Sequence, residues 1–210
     1  MKAVSVASCL IIFYTIKLTP QTRRFAHLSQ LAKHKKENTL YAIKSMTYTD
    51  KTSQETASRE ITCLLMFSHP FIVKLLDIFK GTDSKVINIV LTYCDGGDLA
   101  KLIKQEKKNA LQGLDHNTKV YNQQNFLRWF SMTCLGLNYL HTNGIIHRDI
   151  KPDNILLSAS SKNCKLGDFG LAKVLDNIDD MAVTEVGTTY YISPEIVANK
   201  PYSYPTDVWR

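Results

Sequence analysis

A short polar segment near the middle of the chain constrains the fold more than any other sequence feature. The segment reads His147, Arg148, Asp149, Ile150, Lys151, Pro152, Asp153, Asn154, and fourteen residues after it comes the turn Asp168, Phe169, Gly170. Each residue type occurs at about one position in twenty, so eight specified types at this spacing coincide by chance on the order of 10⁻¹⁰ times per starting position. Each residue alone is typical of a surface turn, but the set indicates a functional site.

The two segments resemble the catalytic loop and the metal-binding turn of eukaryotic protein kinases. The resemblance implies that Asp149 accepts the proton of the substrate hydroxyl, and that Asn154 and Asp168 hold magnesium ions. Lys151 would place an ammonium group near the γ-phosphate, and a lysine here is similar to the serine/threonine kinases rather than the tyrosine kinases. The implied reaction transfers the γ-phosphate of ATP to Ser or Thr of protein substrates, with ATP and Mg²⁺ as cofactors.

Upstream, a short apolar run that ends in a lysine resembles the kinase strand that grips the α- and β-phosphates. The run is Tyr41, Ala42, Ile43, Lys44. Glu60 lies nine residues before the dipeptide at 69–70, His-Pro, as the helix glutamate of the family usually does. The resemblance therefore implies an ion pair between Lys44 and Glu60, whereas a strand lysine taken alone is usually just exposed.

Residues 91–94 resemble the segment that binds the adenine of ATP, and they include Thr92 and Cys94. Backbone groups make the hydrogen bonds there, so the side chains are free to vary. Asp98 resembles the ribose contact, although an aspartate before a helical run is equally a helix cap. Leu156 resembles the apolar floor beneath the base.

Residues 168–195 resemble a kinase activation segment. Its last three residues are Ser193, Pro194 and Glu195, so Ser193 departs from the alanine that the family usually has there. Thr184 occupies a usual phosphorylation position. A phosphate on it would carry about −1.5 to −2 charges, and we expect it to pair with Arg148 and order the segment.

Several details are most similar to the NIMA-related kinases. They are residues 165–167 before Asp168, the sequence from 187 to 194, and residues 199–202 ahead of 207–209. This resemblance implies a cytoplasmic location with cytoskeletal association.

The hydrophobic pattern of the chain agrees with an α+β protein. Apolar, β-branched runs at 40–44, 71–79 and 86–93 predict strands. Three- and four-residue spacing predicts helices at 53–68, 99–108 and 126–140, and Asn143 with Gly144 supply a left-handed stop after the last. The resemblance implies a two-lobed kinase-like fold, with a small sheet-rich lobe at 31–93 and a partial helical lobe at 94–210.

We expect this kinase-like fold to be incomplete at both ends. No glycine occurs before Gly81, yet the family places a glycine-rich loop over the phosphates ahead of the strand lysine. Residues 1–30 therefore form a non-matching segment, which we attribute to an unspliced intron or a wrong start codon, with a true loop-less kinase as the alternative. At the other end, residues 207–209 resemble the start of the central helix of the larger lobe.

Composition and charge exclude several classes of protein. Hydrophobic residues make up 44% of the chain and charged residues 21%, which excludes wholesale disorder, collagen and coiled coil. Five cysteines, an odd number without close metal-ligand pairs, favour a reducing, intracellular setting. The net charge of +7 favours anionic partners, but the basic runs lack interleaved aromatic residues, so we predict no nucleic-acid partner.

Two alternatives to an active kinase remain at this point. The first is a catalytically silent kinase-like fragment that acts by protein binding, which the missing loop glycines favour and the intact metal ligands oppose. The second is a secreted or membrane-anchored receptor kinase, which requires the apolar run at 3–14 to be a signal peptide. That run is too short to span a membrane, and a buried strand is the competing interpretation. We therefore predict no membrane partner.

Overall fold

A computed structural model describes residues 14–17, 28–34, 36–81, 83–112, 123–159, 162–175, 182 and 189–210. The chain divides into two compact units. The first unit consists of Met1–Met66 and Lys74–Tyr93, and the second of Phe67–Val73 and Cys94–Arg210. The first unit thus ends at Tyr93, and the second continues from Cys94. Phe67–Val73, which the sequence analysis assigned to the first lobe, instead clusters with the second.

The first unit is built on an antiparallel sheet of five strands. The strands are β1 (Tyr14–Lys17), β2 (Leu28–His34), β3 (Leu40–Thr47), β4 (Leu75–Lys80) and β5 (Val86–Thr92). Their order across the sheet is β1-β2-β3-β5-β4. β3 and β5 both lie inside the sheet and bury apolar side chains there, among them Ile43, Met46, Ile89 and Val90. Ile43 of β3 pairs directly with Val90 of β5.

The start of this sheet lies earlier in the chain than the sequence analysis placed it. β1 pairs antiparallel with β2, with Tyr14 opposite His34 and Lys17 opposite Leu31. β2 itself begins at Leu28. Residues before 31 therefore supply one strand and the beginning of another. The rest of the apolar run at 3–14 lies outside the described residues.

The core of the first unit is small and apolar. Its buried members are Ala32, Ile43, Phe79 and Val90, with Tyr41 packed against them. Helix α1 (Lys51–Met66) follows β3 and buries Glu60 among its apolar residues. Asp50 caps its start, because the Asp50 carboxylate accepts a hydrogen bond from the backbone N–H of Ser53 at 2.8 Å. The helix begins and ends two residues before the predicted bounds.

Two long helices organise the second unit. Helix α2 (Leu99–Leu111) begins where Asp98 accepts a hydrogen bond from the backbone N–H of Lys101 at 2.8 Å, and helix α3 spans Gln123–Thr142. The predicted stop after α3 is confirmed, since Gly144 has a φ of 76°. One apolar cluster joins these helices to the strands that follow; it contains Trp129, Leu157, Cys164, Leu99, Leu102, Met132 and Ile155.

Two short hairpin-like sheets complete the second unit. β6 (Ile145–Ile146) pairs with β9 (Lys173–Val174), and β7 (Ile155–Ser158) pairs with β8 (Asn163–Leu166). A 3₁₀ turn at Pro152–Asn154 precedes β7. Two short helices, α4 (Pro194–Val197) and α5 (Pro205–Trp209), lie towards the end. A second apolar cluster connects α4 with β6; its buried members are Ile146, Leu175, Ala182, Ile196 and Tyr202.

Among the helices of the described residues, none combines the length and apolar character required to cross a membrane.

Candidate active site

The backbone of the loop at 147–149 is clamped by hydrogen bonds to a buried carboxylate sixty residues further along the chain. Asp207, at 2% exposure, accepts hydrogen bonds from the backbone N–H groups of His147 and Arg148, both at 2.8 Å. Its Oδ2 atom also lies 2.9 Å from His141 Nε2. Arg148 has a φ of 66°, a left-handed conformation that is unfavourable for a residue with a side chain. The Asp207 carboxylate therefore stabilises the strained backbone conformation of this loop.

The Asp149 carboxylate is held by a cation and an amide from the same loop. Lys151 Nζ lies 2.6 Å from Asp149 Oδ2, and Asn154 Nδ2 donates to the same oxygen at 2.9 Å. The Asn154 amide also donates to the Asp149 backbone carbonyl at 2.8 Å. Asp149 and Asn154 are both buried. These contacts fix the orientation of a carboxylate that the sequence analysis assigned as the proton acceptor.

The hairpin of β7 and β8 brings the two predicted metal ligands to one place. Ile155 pairs with Leu166 at the end of the hairpin, so the residues just outside it are neighbours. The backbone N–H of Gly167 donates to the Asn154 carbonyl at 2.9 Å, and Asp168 follows directly. Asp168 has a φ of 59°.

The donor set at this end of the hairpin suits Mg²⁺. The side-chain nitrogen of Asn154 donates hydrogen bonds to Asp149. The side-chain oxygen of Asn154 is therefore the atom that can ligate a metal ion. Together with the Asp168 carboxylate this is a set of hard oxygen ligands, and Mg²⁺ is commonly held by one or two such side chains plus phosphate oxygens and water. The residues present therefore fit a magnesium–nucleotide complex.

His147 connects the loop to the turn in its neutral form. Its ring is fully buried, and burial lowers its pKa below the ordinary value of 6.5. His147 Nε2 lies 3.1 Å from the Gly167 carbonyl, and Nδ1 accepts a hydrogen bond from the Asp149 backbone N–H at 3.3 Å. The two contacts require the tautomer with hydrogen on Nε2. A protonated ring would lose the contact with the Asp149 amide.

Phe169 packs the turn against the interior of the second unit. It is 1% exposed, and its ring centroid lies 4.9 Å from that of His147 and 4.8 Å from that of Phe67. Phe67 is in the segment Phe67–Val73 that clusters with this unit. The aromatic contacts of the buried Phe169 therefore fix the position of the turn, and with it the position of Asp168.

The chain is similar in sequence to known proteins over most of its length. A family model described as the protein kinase domain matches residues 27–210. The chain belongs to the protein kinase family. The match begins at residue 27, close to the start of β2, and includes every predicted site residue of the kinase.

The relatives of this chain are named as Nek kinases. Serine/threonine-protein kinase Nek4 of Mus musculus is 37% identical over 181 residues, which cover 85% of this chain and 21% of Nek4. Nek5 of Homo sapiens is 39% identical over 181 residues, 85% of this chain and 24% of Nek5. Nek6 of Oryza sativa subsp. japonica is 38% identical over 183 residues, 85% of this chain and 31% of Nek6. The resemblance to NIMA-related kinases is confirmed, and the chain spans less than a third of these relatives.

The first unit of the kinase contains the predicted ion pair. Lys44 Nζ lies 2.7 Å from Glu60 Oε1, and the two residues are 7% and 3% exposed. Lys44 lies on β3 and Glu60 on the third turn of α1. Burying both charges is favourable only because they neutralise each other at hydrogen-bonding distance.

The residues predicted to contact the nucleotide base and ribose have local structural roles. Thr92, in the first unit, accepts a hydrogen bond on its hydroxyl from the Lys74 backbone N–H at 3.2 Å. In the second unit, burial raises the pKa of the Cys94 thiol to about 11, so this thiol is not reactive at neutral pH. Asp98 caps α2 and forms an ion pair with Lys101 at 2.8 Å. Leu156 lies on β7, opposite Lys165.

Arg148 is buried at 4% exposure and has partners in the second unit of the kinase. Its Nε donates to the Leu171 carbonyl at 2.6 Å, and its Nη1 donates to the Tyr202 hydroxyl at 3.1 Å. Tyr202 in turn pairs through its backbone with Ala182, two residues before Thr184. Thr184 itself, predicted as a phosphorylation site, lies outside the described residues.

Sequence reasoning missed three residues that shape this site. The roles of Asp207, His147 and Tyr202 depend on partners up to sixty residues away. The sequence signal for Asp207 was the resemblance of residues 207–209 to the start of the central helix of the larger kinase lobe, which does not identify what the carboxylate binds. The motif spacing identified His147 as part of the pattern but not its tautomer.

Proposed function

We propose that this chain is the catalytic part of a protein serine/threonine kinase that transfers the γ-phosphate of ATP to Ser or Thr of protein substrates. The observation that carries the proposal is the fixed Asp149 carboxylate, bound by Lys151 and Asn154 beside the hairpin end that carries Asp168. Phosphoryl transfer needs position and charge more than covalent help from the protein, because negative charge spreads over the transferring oxygens. A preorganised carboxylate among cationic and amide groups supplies both.

Each residue has a defined role in the proposed reaction. Asp149 orients the substrate hydroxyl and accepts its proton, and Lys151 supplies positive charge beside it. Asn154 and Asp168 provide oxygen ligands for Mg²⁺, which neutralises phosphate charge when it is bound with ATP. Lys44, held by Glu60, provides a cation for the α- and β-phosphates. Cys94, Asp98, Leu156 and Thr92 complete the proposed nucleotide contacts.

The proposed substrates are proteins with accessible Ser or Thr residues. The Nek relatives support this class through their names, which describe serine/threonine-protein kinases. We further propose a cytoplasmic location with cytoskeletal association, based on the NIMA-related resemblance, and no nucleic-acid or membrane partner.

Regulation by phosphorylation of Thr184 is part of the same proposal. The support is the position of Arg148, whose guanidinium is buried among Leu171 and Tyr202 while Tyr202 pairs with Ala182. A phosphate on Thr184 adds charge that an arginine binds in a bidentate manner. Alanine at Thr184 is expected to lower activity, and unchanged activity would remove this part of the proposal.

The test of the proposed activity is radiolabel transfer from γ-labelled ATP to a generic basic protein in the presence of Mg²⁺. Asp149→Asn removes the proton acceptor but keeps the shape of the side chain, and we expect it to lower transfer by about 10²- to 10⁴-fold. Asp153→Asn is the matched control, because it makes the same substitution in the same loop at a residue to which the proposal assigns no role. Equal labelling by the parent protein and Asp149→Asn would end the proposal.

A catalytically silent protein that acts by binding partners is the second candidate function. It is favoured by the sequence between β1 and β2, residues 18–27, which contains no glycine where the family has its phosphate-binding loop. This candidate predicts no labelling by the parent protein, and none after glycines are introduced into that segment. Labelling that appears only in the glycine-containing variants would instead assign the defect to this segment alone.

A further inference from the structure

We propose that the hydroxyl groups of Ser193 and Thr206 form a positioning element for the catalytic loop. Ser193 Oγ and Thr206 Oγ1 lie 2.6 Å apart, and both residues are 0% exposed. Ser193 immediately precedes α4, and Thr206 belongs to α5. The pair therefore joins the end of the segment after the metal-binding turn to the helix that clamps the loop. The inference rests on the proposed function, since it concerns the loop that carries Asp149.

The Ser193 hydroxyl is used between elements and not within its own helix. Ser193 occupies the N-cap position of α4, where a serine usually accepts a hydrogen bond from a backbone N–H of the first turn. Its side chain makes no such capping bond, and its backbone carbonyl accepts hydrogen bonds from Ile196 and Val197, both at 3.1 Å. The hydroxyl is directed to Thr206 instead. This hydrogen bond indicates that the Ser193 hydroxyl holds the start of α4 to α5.

Thr206 is directly followed by the residue that holds the catalytic loop. Asp207 Oδ2 accepts from the His147 backbone N–H, and Oδ1 accepts from the Arg148 backbone N–H, each at 2.8 Å. Consecutive residues of one helical turn move together, so displacement of Thr206 displaces the Asp207 carboxylate. Asp149 follows Arg148 in the chain. A single turn of α5 thus connects Ser193 with the orientation of Asp149.

A hydrogen bond at this position fixes geometry that apolar packing alone leaves free. The surroundings are apolar: Ile196 is buried in the cluster that includes Ile146 and Tyr202, and Ile192 packs against it. Apolar contacts are non-directional, whereas a hydrogen bond sets both a distance and a direction. The hydroxyl pair therefore supplies a directional contact between the N-cap of α4 and α5, beside this apolar cluster.

The test compares two substitutions of Thr206 in the full chain. Thr206→Val keeps the shape of the side chain and removes the hydroxyl, whereas Thr206→Ser keeps the hydroxyl and removes a methyl group. Amide hydrogen exchange at His147 and Arg148 reports the Asp207 clamp without requiring catalysis. We expect Thr206→Val to accelerate exchange at these two amides about tenfold, the factor that follows from a hydrogen bond of about 1.4 kcal/mol, and Thr206→Ser to leave it unchanged.

A double variant separates positioning from stability. Thr206→Val alone leaves the Ser193 hydroxyl buried without its partner, which lowers the melting temperature by about 2–8 °C. In Ser193→Ala with Thr206→Val both hydroxyl groups are absent, so most of this loss should be recovered. We expect exchange at His147 and Arg148 to stay fast in the double variant although the melting temperature recovers. Thr142→Val, which removes an exposed hydroxyl within α3, is the control and should change neither quantity.

The outcomes distinguish this inference from the proposed function. Slow exchange at His147 and Arg148 in the double variant, or acceleration spread evenly over the second unit, would overturn the positioning role. In an active protein the double variant should also show about tenfold lower kcat, since the loop that orients Asp149 is loosened, whereas the single variant Thr206→Ser, which keeps the hydroxyl, should keep the kcat of the parent protein. Absence of transfer by the parent protein would contradict the proposed function, and the exchange experiment would still decide the inference.

Discussion

At the scale of single residues, His147 ties the stability of the site to pH. Its ring is fully buried and neutral, with its pKa lowered by burial, and both nitrogens are occupied by backbone groups of Gly167 and Asp149. The unfolded chain protonates this histidine near pH 6.5, whereas the folded chain does not. Because the unfolded state then binds more protons, the free energy of unfolding falls as the pH drops below 6.5.

We expect this contribution to reach a slope of about 1.4 kcal/mol per pH unit between pH 6.5 and the lowered pKa of His147, and to be flat above pH 7.5. Urea unfolding of the parent protein and His147→Asn at pH 7.5, 6.5 and 5.5 measures it, and the variant should show the smaller slope. His69→Asn is a useful comparison, because burial also lowers the pKa of His69, which is only half-buried. A stability of the parent protein that rises on acidification would contradict this reasoning.

The buried ion pair of Lys44 and Glu60 gives a second prediction at this scale. Lys44→Met removes the cation 2.7 Å from the Glu60 carboxylate, which is 3% exposed, and we expect a loss of about 3–5 kcal/mol in the free energy of unfolding. Lys44→Met with Glu60→Leu replaces both charges by apolar side chains and should recover most of that loss. Urea unfolding at pH 7.5 measures both. Equal stability of the two variants would show that the charge left behind carries no penalty.

Most residues of the candidate site stand out in the sequence because the proposed chemistry requires fixed types at short spacing. Asp149, Asn154 and Asp168 lie within twenty residues of one another, and the structure brings them to one end of a hairpin. The ion pair of Lys44 with Glu60 was also predicted and is present. The clamp by Asp207 was not predictable, since a carboxylate that binds backbone N–H groups leaves no requirement on the residue types of its partners.

At the scale of elements, Tyr202 connects a backbone bridge to the catalytic loop. Its backbone pairs with Ala182 in both directions, at 2.7 and 2.9 Å, while its hydroxyl accepts from Arg148 Nη1 at 3.1 Å. Both Tyr202 and Arg148 are buried, at 3% and 4% exposure. The side-chain contact can be removed without disturbing the bridge, because the bridge uses only backbone groups.

We therefore predict that Tyr202→Phe lowers the free energy of unfolding by about 1.5–3 kcal/mol, since it removes an acceptor from a buried charged donor. Tyr190→Phe is the matched control, because Tyr190 is 94% exposed and its hydroxyl lies in solvent. Urea unfolding of the three proteins gives the comparison. Identical stability of Tyr202→Phe and Tyr190→Phe would show that the Arg148 contact is replaced in the variant.

The type of an element was predictable where its hydrophobic periodicity extends over several turns. The residues at which an element begins and ends were less predictable. The helix predicted at 126–140 extends over Gln123–Thr142, and its left-handed stop at Gly144 is present. The strand predicted at 71–79 is shorter, Leu75–Lys80, because Phe67–Val73 clusters with the second unit, and Val73 there donates to Leu166 at 2.9 Å. Tertiary contacts therefore determined the structure of the first part of this apolar run, although its sequence pattern predicts a strand.

At the scale of the whole molecule, the fold class was predicted by the motif and not by the composition. A net charge of +7 and 44% hydrophobic residues fit many α+β proteins, whereas the loop and turn at 147–170 match one family. The resemblance did not predict β1 at Tyr14–Lys17, because this strand carries no motif and is recognised only by its pairing with β2. Strand pairing over such a distance depends on the rest of the sheet.

The central claim is that the hairpin of β7 and β8 makes Asn154 and Asp168 a magnesium–nucleotide site beside Asp149. Its most direct test is calorimetric titration of the chain with ATP, with Mg²⁺ and with excess chelator. We predict binding that requires Mg²⁺, that is lost in Asp168→Asn, and that persists in Asp149→Asn, since Asp149 acts on the substrate proton. Equal binding of ATP in Asp168→Asn, or binding that is unaffected by the chelator, would contradict the account.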